Sequence, residues 1–273
     1  MADSLDETSG LLPSDRRSFA RKIGLAAACL GGAALLNACG GVNNLAAPPV
    51  QTPAITDADI LNFALNLEYL EAEFYTYATT GNGIAGAGIS TSGAGTEGLT
   101  TGGAQVSFTD PAVSAIAVQI ATDEQDHVKL LRSALGAAAV AKPAINLNAL
   151  GVGFATDAQF LTLARAFEDT GVSAYGGAAP LITSATTLGT AAQILGTEAE
   201  HSGNIRLLVV EKAIAVGALD SSDVLPSAST YFAVNSDGLS VIRSPRQVLN
   251  IVYGGSGASG GFFPSGMNGA ITD

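Results

Sequence analysis

The sequence predicts an all-α fold, a four-helix bundle built from two helical hairpins that a long crossover joins. Two observations carry this prediction. Four stretches place apolar residues three and four positions apart, which is the spacing of one face of an α-helix. The stretches also form two similar pairs, because each pair carries a Glu, a Tyr seven residues later, and then a Glu-x-x-His. A duplicated hairpin is the simplest explanation of that repeat.

The N-terminal segment, residues 1–38, is expected to be an export signal and not part of this fold. Its paired Arg16 and Arg17 stand in a run, SDRRSFAR, that resembles a twin-arginine signal. The apolar run that follows, 23–36, is only 14 residues long and is short for a membrane span. The sequence LNAC, which ends at Cys39, resembles the bacterial lipobox in which the Cys is lipidated. An Asn is unusual within that box, so cleavage without lipidation stays open.

These signals predict export through the twin-arginine route, either to the periplasm or to a lipid anchor on the membrane. Cys29 and Cys39 are the only cysteines of the chain, so the mature fold should contain no disulfide and no thiolate metal site. Residues 39–55 include Pro48 and Pro49 and are predicted to be a flexible tether.

The charge balance is acidic, with 12 Lys and Arg against 24 Asp and Glu and a net charge of −12. Such a chain is a poor partner for nucleic acid and for anionic membrane surfaces. Contact with a membrane is therefore expected only through a lipid at Cys39, whereas metal cations are favoured partners.

The first hairpin is predicted to begin at Thr56, a residue type suited to an N-cap, and its first helix should run to about Ala78. Residues 80–107 are rich in Gly, Thr and Ser and cannot sustain a helix. This insert is either a long loop or a small two-stranded excursion. Pro111, at a first helical position, opens the second helix, which should run to roughly Ala138.

A crossover at 143–156 leads to the second hairpin. Its first helix, the third of the bundle, should begin near Asp157. Gly176, Gly177 and Pro180 should bend or interrupt that helix.

The fourth helix is predicted over roughly 185–216, which places the whole bundle at 56–216. A C-terminal extension, 217–273, is rich in loop residues. It carries one short helix that Ser244 caps and that should run to Ile251.

Two Glu-x-x-His motifs contain the only histidines of the chain, Glu124 with His127 and Glu198 with His201. Residues three apart lie on one face of a helix, so each motif directs a carboxylate and an imidazole the same way. Carboxylate oxygen and neutral imidazole suit iron, manganese or zinc. We therefore interpret both motifs as metal ligands.

The other two helices repeat a second pattern, in which Tyr75 follows Glu68 and Tyr175 follows Glu168 by seven residues. Seven residues are close to two helical turns, so each Tyr lies on the stripe of its Glu. The step from the Tyr to the next Glu-x-x-His is 49 residues in the first half and 23 in the second. Without the 28-residue insert the first step becomes 21, which supports a duplication.

This combination resembles the ferritin-like di-metal carboxylate superfamily, and within it the exported ferritin-like domain proteins of bacteria, over about residues 56–215. The ligand pattern is similar to that of rubrerythrins and bacterioferritins. In the superfamily, single glutamates from two helices and a Glu-x-x-His from each of the other two face inward. The resemblance implies a metal-ligand set of Glu68, Glu124, His127, Glu168, Glu198 and His201. It also implies a cofactor of two Fe ions, with Mn as the alternative.

Departures from the family matter as well. Rubrerythrins carry a CxxC iron site, which this sequence lacks. Bacterioferritin-type haem needs an axial Met, and the only methionines are Met1 and Met267, so no haem is expected. The insert and the tether argue against a closed storage cage. The oligomeric state is not predicted.

The resemblance implies an oxidoreductase that oxidises Fe(II) or breaks down peroxide or O2 in the cell envelope. A non-catalytic metal-binding or structural envelope protein is the alternative. A third possibility is a scaffold whose insert or tail binds a partner.

Several neighbours of the predicted ligands need separate interpretation. Glu71 rivals Glu68 as a ligand, but the repeat has Gly171 at the matching position, which favours Glu68. Tyr75 and Tyr175 are predicted to hydrogen-bond ligand carboxylates, to pass electrons, or to be ordinary core residues. Most of the adjacent acids are expected to be solvated, with one or two orienting a His; these acids are Asp123, Asp126, Asp169 and Glu200. Arg165 and Arg206 are expected to form only weak surface pairs.

Overall fold

The computed structural model describes residues 54–255 and 257–273. Within these ranges four long helices form a bundle, which confirms the predicted all-α fold. The helices are α1 (Asp57–Thr80), α2 (Pro111–Leu135), α3 (Asp157–Ala178) and α4 (Ala185–Glu211).

The helices begin where the sequence places capping residues. Thr56 forms a capping box with Asp59, each side chain binding the backbone N–H of the other residue. Asp110 accepts a hydrogen bond from Ala112 N ahead of Pro111. These local bonds set the starts of α1 and α2 and so the register of the ligands they carry.

α1 packs along α2, and α3 packs along α4. Gln125 Nε2 donates to Thr76 Oγ1 at 3.0 Å, and Arg132 donates to the hydroxyl of Tyr69. The partner of Arg132 lies earlier in α1 than the partner of Gln125, so the two helices run antiparallel. This confirms a hairpin despite the insert between them.

The insert is mostly loop and is tied to the crossover. It contains a 3₁₀ turn at Ile84–Ala87 and a two-residue strand, β1 (Thr100–Thr101), which pairs in parallel with β2 (Ile145–Asn146) of the crossover. The buried ammonium of Lys142 donates to Gly98 O at 2.8 Å and to Thr100 Oγ1 at 2.9 Å. The strand partner of the insert therefore lies in the crossover and not in the insert itself.

The predicted end of α4 was wrong, and the break predicted in α3 occurs at Pro180 but not at the glycines. α4 ends at Glu211 and not near Val216, because the chain turns at Ala213, whose φ is 51°. α3 continues uninterrupted through Gly176 and Gly177, and only the 3₁₀ turn at Ala179–Leu181, which contains Pro180, ends it.

The glycines near the end of α3 serve close packing. A Cβ on Gly177 would overlap the carbonyl oxygen of Arg243, which belongs to the C-terminal extension. The extension also bonds to α3 through its backbone, since Arg243 N donates to Ser173 O at 2.9 Å. Its short helix, α5 (Pro245–Val252), carries the expected Ser244 cap and contacts α3.

The expectation of weak surface pairs at Arg165 and Arg206 was wrong. Arg165 is 1% exposed, Arg206 is 0% exposed, and Asp169, predicted to be solvated, is 4% exposed. Arg206 Nη1 lies 2.6 Å and Arg165 Nε lies 2.8 Å from the same oxygen, Asp169 Oδ2. Arg165 also binds Asp223 Oδ1 at 2.5 Å, and Arg206 donates to Tyr231 O at 2.8 Å. The network is buried because the extension covers it.

The predicted signal at 1–38, the lipidation site Cys39 and the tether up to residue 53 lie outside the described residues. Within the described part, no helix is both long and apolar enough to cross a membrane.

Candidate dinuclear metal centre

The structure brings the six predicted ligands together in the middle of the bundle. They form two overlapping groups whose ligand atoms lie within 4.8 Å of one another. One group contains Glu68 and His127, and the other contains Glu168 and His201. Glu124 and Glu198 belong to both groups. Each group would hold one of two adjacent metal ions, and Glu124 and Glu198 lie within reach of both positions.

His127 faces three carboxylates from three helices. Its Nδ1 atom lies 3.2 Å from Glu68 Oε2, 3.3 Å from Glu124 Oε2 and 3.4 Å from Glu198 Oε1. The convergence depends on α2 presenting Glu124 and His127 on one face, as the three-residue spacing predicts.

His201 makes the equivalent approach from α4. Its Nδ1 atom lies 3.0 Å from Glu124 Oε1 and 3.4 Å from Glu168 Oε2. Its Nε2 atom lies 3.2 Å from Asp123 Oδ2, so Asp123 orients the imidazole. The two imidazole rings are 6.3 Å apart.

The cluster fits metal ions because its buried atoms lack other partners. Among the described residues, six of its atoms have no hydrogen-bond partner: Glu68 Oε2, Glu124 Oε1, Glu168 Oε2, Glu198 Oε1, Glu198 Oε2 and His201 Nδ1. All four glutamates are fully buried. Buried carboxylates need a compensating charge, and two divalent cations would neutralise four of them.

The close packing of buried carboxylates and imidazoles also shifts the pKa values of these side chains. Burial, followed by repulsion from Glu68, raises the pKa of Glu124 to about 7. Burial opposes protonation of His201, but the carboxylates of Glu124 and Glu168 beside its Nδ1 atom raise its pKa to about 12. Burial would raise the pKa of Glu68, but the neighbouring His127 lowers it. Protons therefore compete with metal ions for the cluster.

Two tyrosines connect the halves of the cluster. Tyr75 on α1 donates to Glu168 Oε1 on α3, and Tyr175 on α3 donates to Glu68 Oε1 on α1. Each Tyr thus binds the Glu of the other hairpin, while the second oxygen of that Glu is left facing the centre. The structure confirms the predicted hydrogen bonds from these tyrosines to ligand carboxylates.

Glu71 is a fifth buried carboxylate beside the cluster. It is 4% exposed, and burial, followed by repulsion from Glu198, raises its pKa well above its usual range. It stands outside the two ligand groups, in which Glu68 takes part. Sequence reasoning identified Glu71 only as a rival ligand. Gly171, at the matching position of the repeat, was the sequence feature that indicated where Glu71 packs. A Cβ on Gly171 would lie 3.0 Å from Glu71 Oε1, so the glycine makes room for that carboxylate.

Of the acids that flank the ligands, Asp126 and Glu200 are exposed as expected, and Asp123 is half-buried against His201. Asp169 is the exception, since it faces away from the metal cluster into the arginine network. No sequence signal distinguished Asp169 from the other acids, because its burial depends on the extension.

A four-helix bundle with this duplicated ligand set defines a ferritin-like protein. The ferritin-like domain family matches residues 56–211, more than half of the chain, and the chain belongs to that family.

Two relatives illustrate the range of proteins to which the chain is similar. The ferritin-like catalase Nec2 of Nesocodon mauritianus is 25% identical over 267 residues, which cover 79% of this chain and 84% of the relative. The desiccation-related protein PCC13-62 of Craterostigma plantagineum is 27% identical over 175 residues, 58% of this chain. The match covers 54% of that second relative, so the chain spans about half of its length.

Proposed function

We propose that this protein holds a dinuclear iron or manganese centre and uses it to break down hydrogen peroxide. The observation that carries the proposal is the pair of overlapping ligand groups that share Glu124 and Glu198. Oxygen-rich sites with two imidazoles suit these metals, both of which change oxidation state. The similarity to a protein named as a ferritin-like catalase supports peroxide as the substrate.

A redox-active metal pair supplies two-electron chemistry, by which two H2O2 become two H2O and one O2. The chain's own residues prepare the site for it. Glu68, Glu124, Glu168 and Glu198 are buried, so bulk water is excluded. Tyr75 and Tyr175 hold one oxygen of Glu168 and of Glu68 and leave the other oriented to the centre. Asp123 fixes the orientation of His201.

Oxygen evolution after addition of peroxide tests the proposal. Protein loaded with Fe or Mn should release O2 from H2O2, and His201→Ala should lower the rate by about 10²-fold or more because a ligand is lost. Asp126→Asn is the matched control, since Asp126 is an exposed residue of α2 that pairs with Lys129. Metal-loaded protein that evolves no O2 would reject peroxide breakdown.

The same preparation separates the alternatives. Oxygen uptake on addition of Fe(II), without peroxide breakdown, would indicate the oxidation of Fe(II) instead. Bound metal with neither activity would indicate a metal-binding or structural envelope protein.

We further propose export by the twin-arginine route, on the basis of Arg16 and Arg17. The double variant Arg16→Lys, Arg17→Lys should leave unprocessed precursor in the cytoplasm, which fractionation and immunoblotting detect. Normal export of that variant would reject the signal. A mass shift at the Cys39 N-terminus, absent in Cys39→Ser, distinguishes lipidation from simple cleavage.

A further inference from the structure

The C-terminal extension encloses a cavity of about 500 Å³ against the outer side of α3. α3 contributes Ala166, Phe167 and Thr170 to its wall, and the extension contributes Asn250 and Val252. The volume is within the range of small-molecule sites. The matched family domain ends at residue 211, so this cavity is built partly by residues beyond that domain.

A second, smaller space lies beside the cavity, on the side of Glu71 and Gly171. Its volume is about 10 Å³, and Phe167, Thr170 and Val252 line both spaces. All three residues are buried and form the wall that the two spaces share, which we call the constriction. The inner space is at the lower limit for one water molecule.

The inner space reaches residues that lie next to the predicted metal ligands but not the ligands themselves. Glu71 and Gly171 line it. A Cβ on Gly171 would lie 3.0 Å from Glu71 Oε1 and would overlap Glu198 Oε2, an atom that has no hydrogen-bond partner among the described residues. The glycine therefore lets the carboxylates of Glu71 and Glu198, a shared ligand of the centre, lie directly against the wall of the inner space.

We propose that this cavity is the entrance by which hydrogen peroxide reaches the dinuclear centre, and that Val252 of α5 sets the width of its constriction. The inference rests on the proposed function and adds the route of the substrate. The acid in the wall, Asp220, is held by both Nε and Nη2 of Arg243 at 2.8 and 2.9 Å, so it does not attract cations. A mostly apolar wall and a water-sized gap select a small neutral molecule.

The competing entrance is a polar cavity of about 170 Å³ beside His201. Asp123 and Glu200 line it, so its wall is acidic. That wall favours cations over a neutral oxidant. The test therefore alters the constriction at Val252 and leaves the His201 side unchanged.

Association of nitric oxide with the Fe(II)-loaded protein, followed by stopped-flow absorption, measures access without requiring turnover. Val252→Phe should slow association by about tenfold or more, equivalent to about 1.4 kcal/mol of added barrier, at unchanged metal content. Val252→Ala should accelerate it, and should also raise turnover of tert-butyl hydroperoxide relative to H2O2.

Val248→Ala is the matched control. Val248 lies on the same helix and is equally buried but lines neither space, so this variant creates a similar packing defect away from the route. Equal association rates in Val252→Ala, Val248→Ala and the unaltered protein would overturn the entrance, even if Val252→Phe fails to fold. Failure of the unaltered Fe(II)-loaded protein to bind nitric oxide would instead remove the metal centre, and this proposal with it.

Discussion

Each tyrosine that follows a predicted ligand by seven residues hydrogen-bonds the corresponding ligand of the other hairpin. The exchange between Tyr75 and Glu168, and between Tyr175 and Glu68, ties α1 to α3 at the centre of the bundle. Since both partners of each bond are buried, loss of the hydroxyl leaves a carboxylate oxygen without its donor.

We expect Tyr75→Phe and Tyr175→Phe each to lower the free energy of unfolding by about 1–3 kcal/mol, the cost of one unsatisfied buried acceptor. Urea denaturation of the metal-free protein measures this change in the free energy of unfolding. Tyr77→Phe, at a half-buried position on α1, is the control and should change stability little. A loss no larger in Tyr75→Phe than in Tyr77→Phe would show that the buried bond does not stabilise the fold.

The raised pKa of Glu124 predicts how acidity affects the protein stripped of metal by a chelator. Its pKa is about 7, against an ordinary value of 4.5, so the folded state favours the protonated acid. The contribution of Glu124 to the free energy of unfolding is therefore fully present below pH 4.5 and is lost as the pH rises through 7. The raised pKa of His201 acts in the same direction above pH 6.5.

We therefore expect the melting temperature of metal-free protein to fall between pH 5 and pH 8, with a smaller fall in Glu124→Gln, which cannot ionise. Differential scanning calorimetry at both pH values, with and without added metal, makes the comparison. A fall of the same size in both proteins would contradict the assignment to Glu124.

At the level of the helices, sequence reasoning succeeded where the signals were local. The Thr56 and Ser244 caps, the Asp157 start and the insert after α1 all follow from short-range chemistry. The prediction of a helix break at Gly177 was wrong, because a glycine in a helical stretch is compatible with two different structures. Low helix propensity predicts a break, whereas close approach of another chain segment predicts a continuous helix, and only the position of Arg243 decides between them.

Gly177→Ala tests that explanation against a matched glycine. The added methyl would overlap Arg243 O, so the variant should be less stable by at least about 1–3 kcal/mol, the usual cost of overpacking. Gly189→Ala on α4 meets no atom within 4 Å and should gain about 0.5–1 kcal/mol from helix propensity. Equal gains in both variants, measured by thermal unfolding, would show that Gly177 is not there for close packing.

At the scale of the whole molecule, the extension is fastened to the bundle by two buried arginines. Arg206 binds Asp169 in the bundle and the carbonyl oxygens of Val224 and Tyr231 in the extension. No local sequence pattern predicts this network, because burial of Arg165 and Arg206 results from long-range packing by residues 217–231. The carboxylate and histidine cluster, by contrast, was predictable because its residues repeat at helical spacing.

Arg206→Ala should cost about 3–5 kcal/mol, since it breaks a buried charge network and leaves carbonyl groups unpaired. Lys129→Ala, which removes an exposed pair with Asp126, should cost less than about 1 kcal/mol. Limited proteolysis should cleave the extension faster in Arg206→Ala than in the control. Indistinguishable stability of the two variants would show that the network contributes little.

The central claim is that four buried glutamates from four helices share a space because metal ions lie among them. Elemental analysis by mass spectrometry of protein matured in its native host tests this most directly. We expect about two Fe or Mn ions per chain, the number that this ligand pattern holds in ferritin-like di-metal proteins, and loss of most of that metal in Glu124→Ala. A native preparation without any transition metal, or metal retained in full by Glu124→Ala, would contradict it.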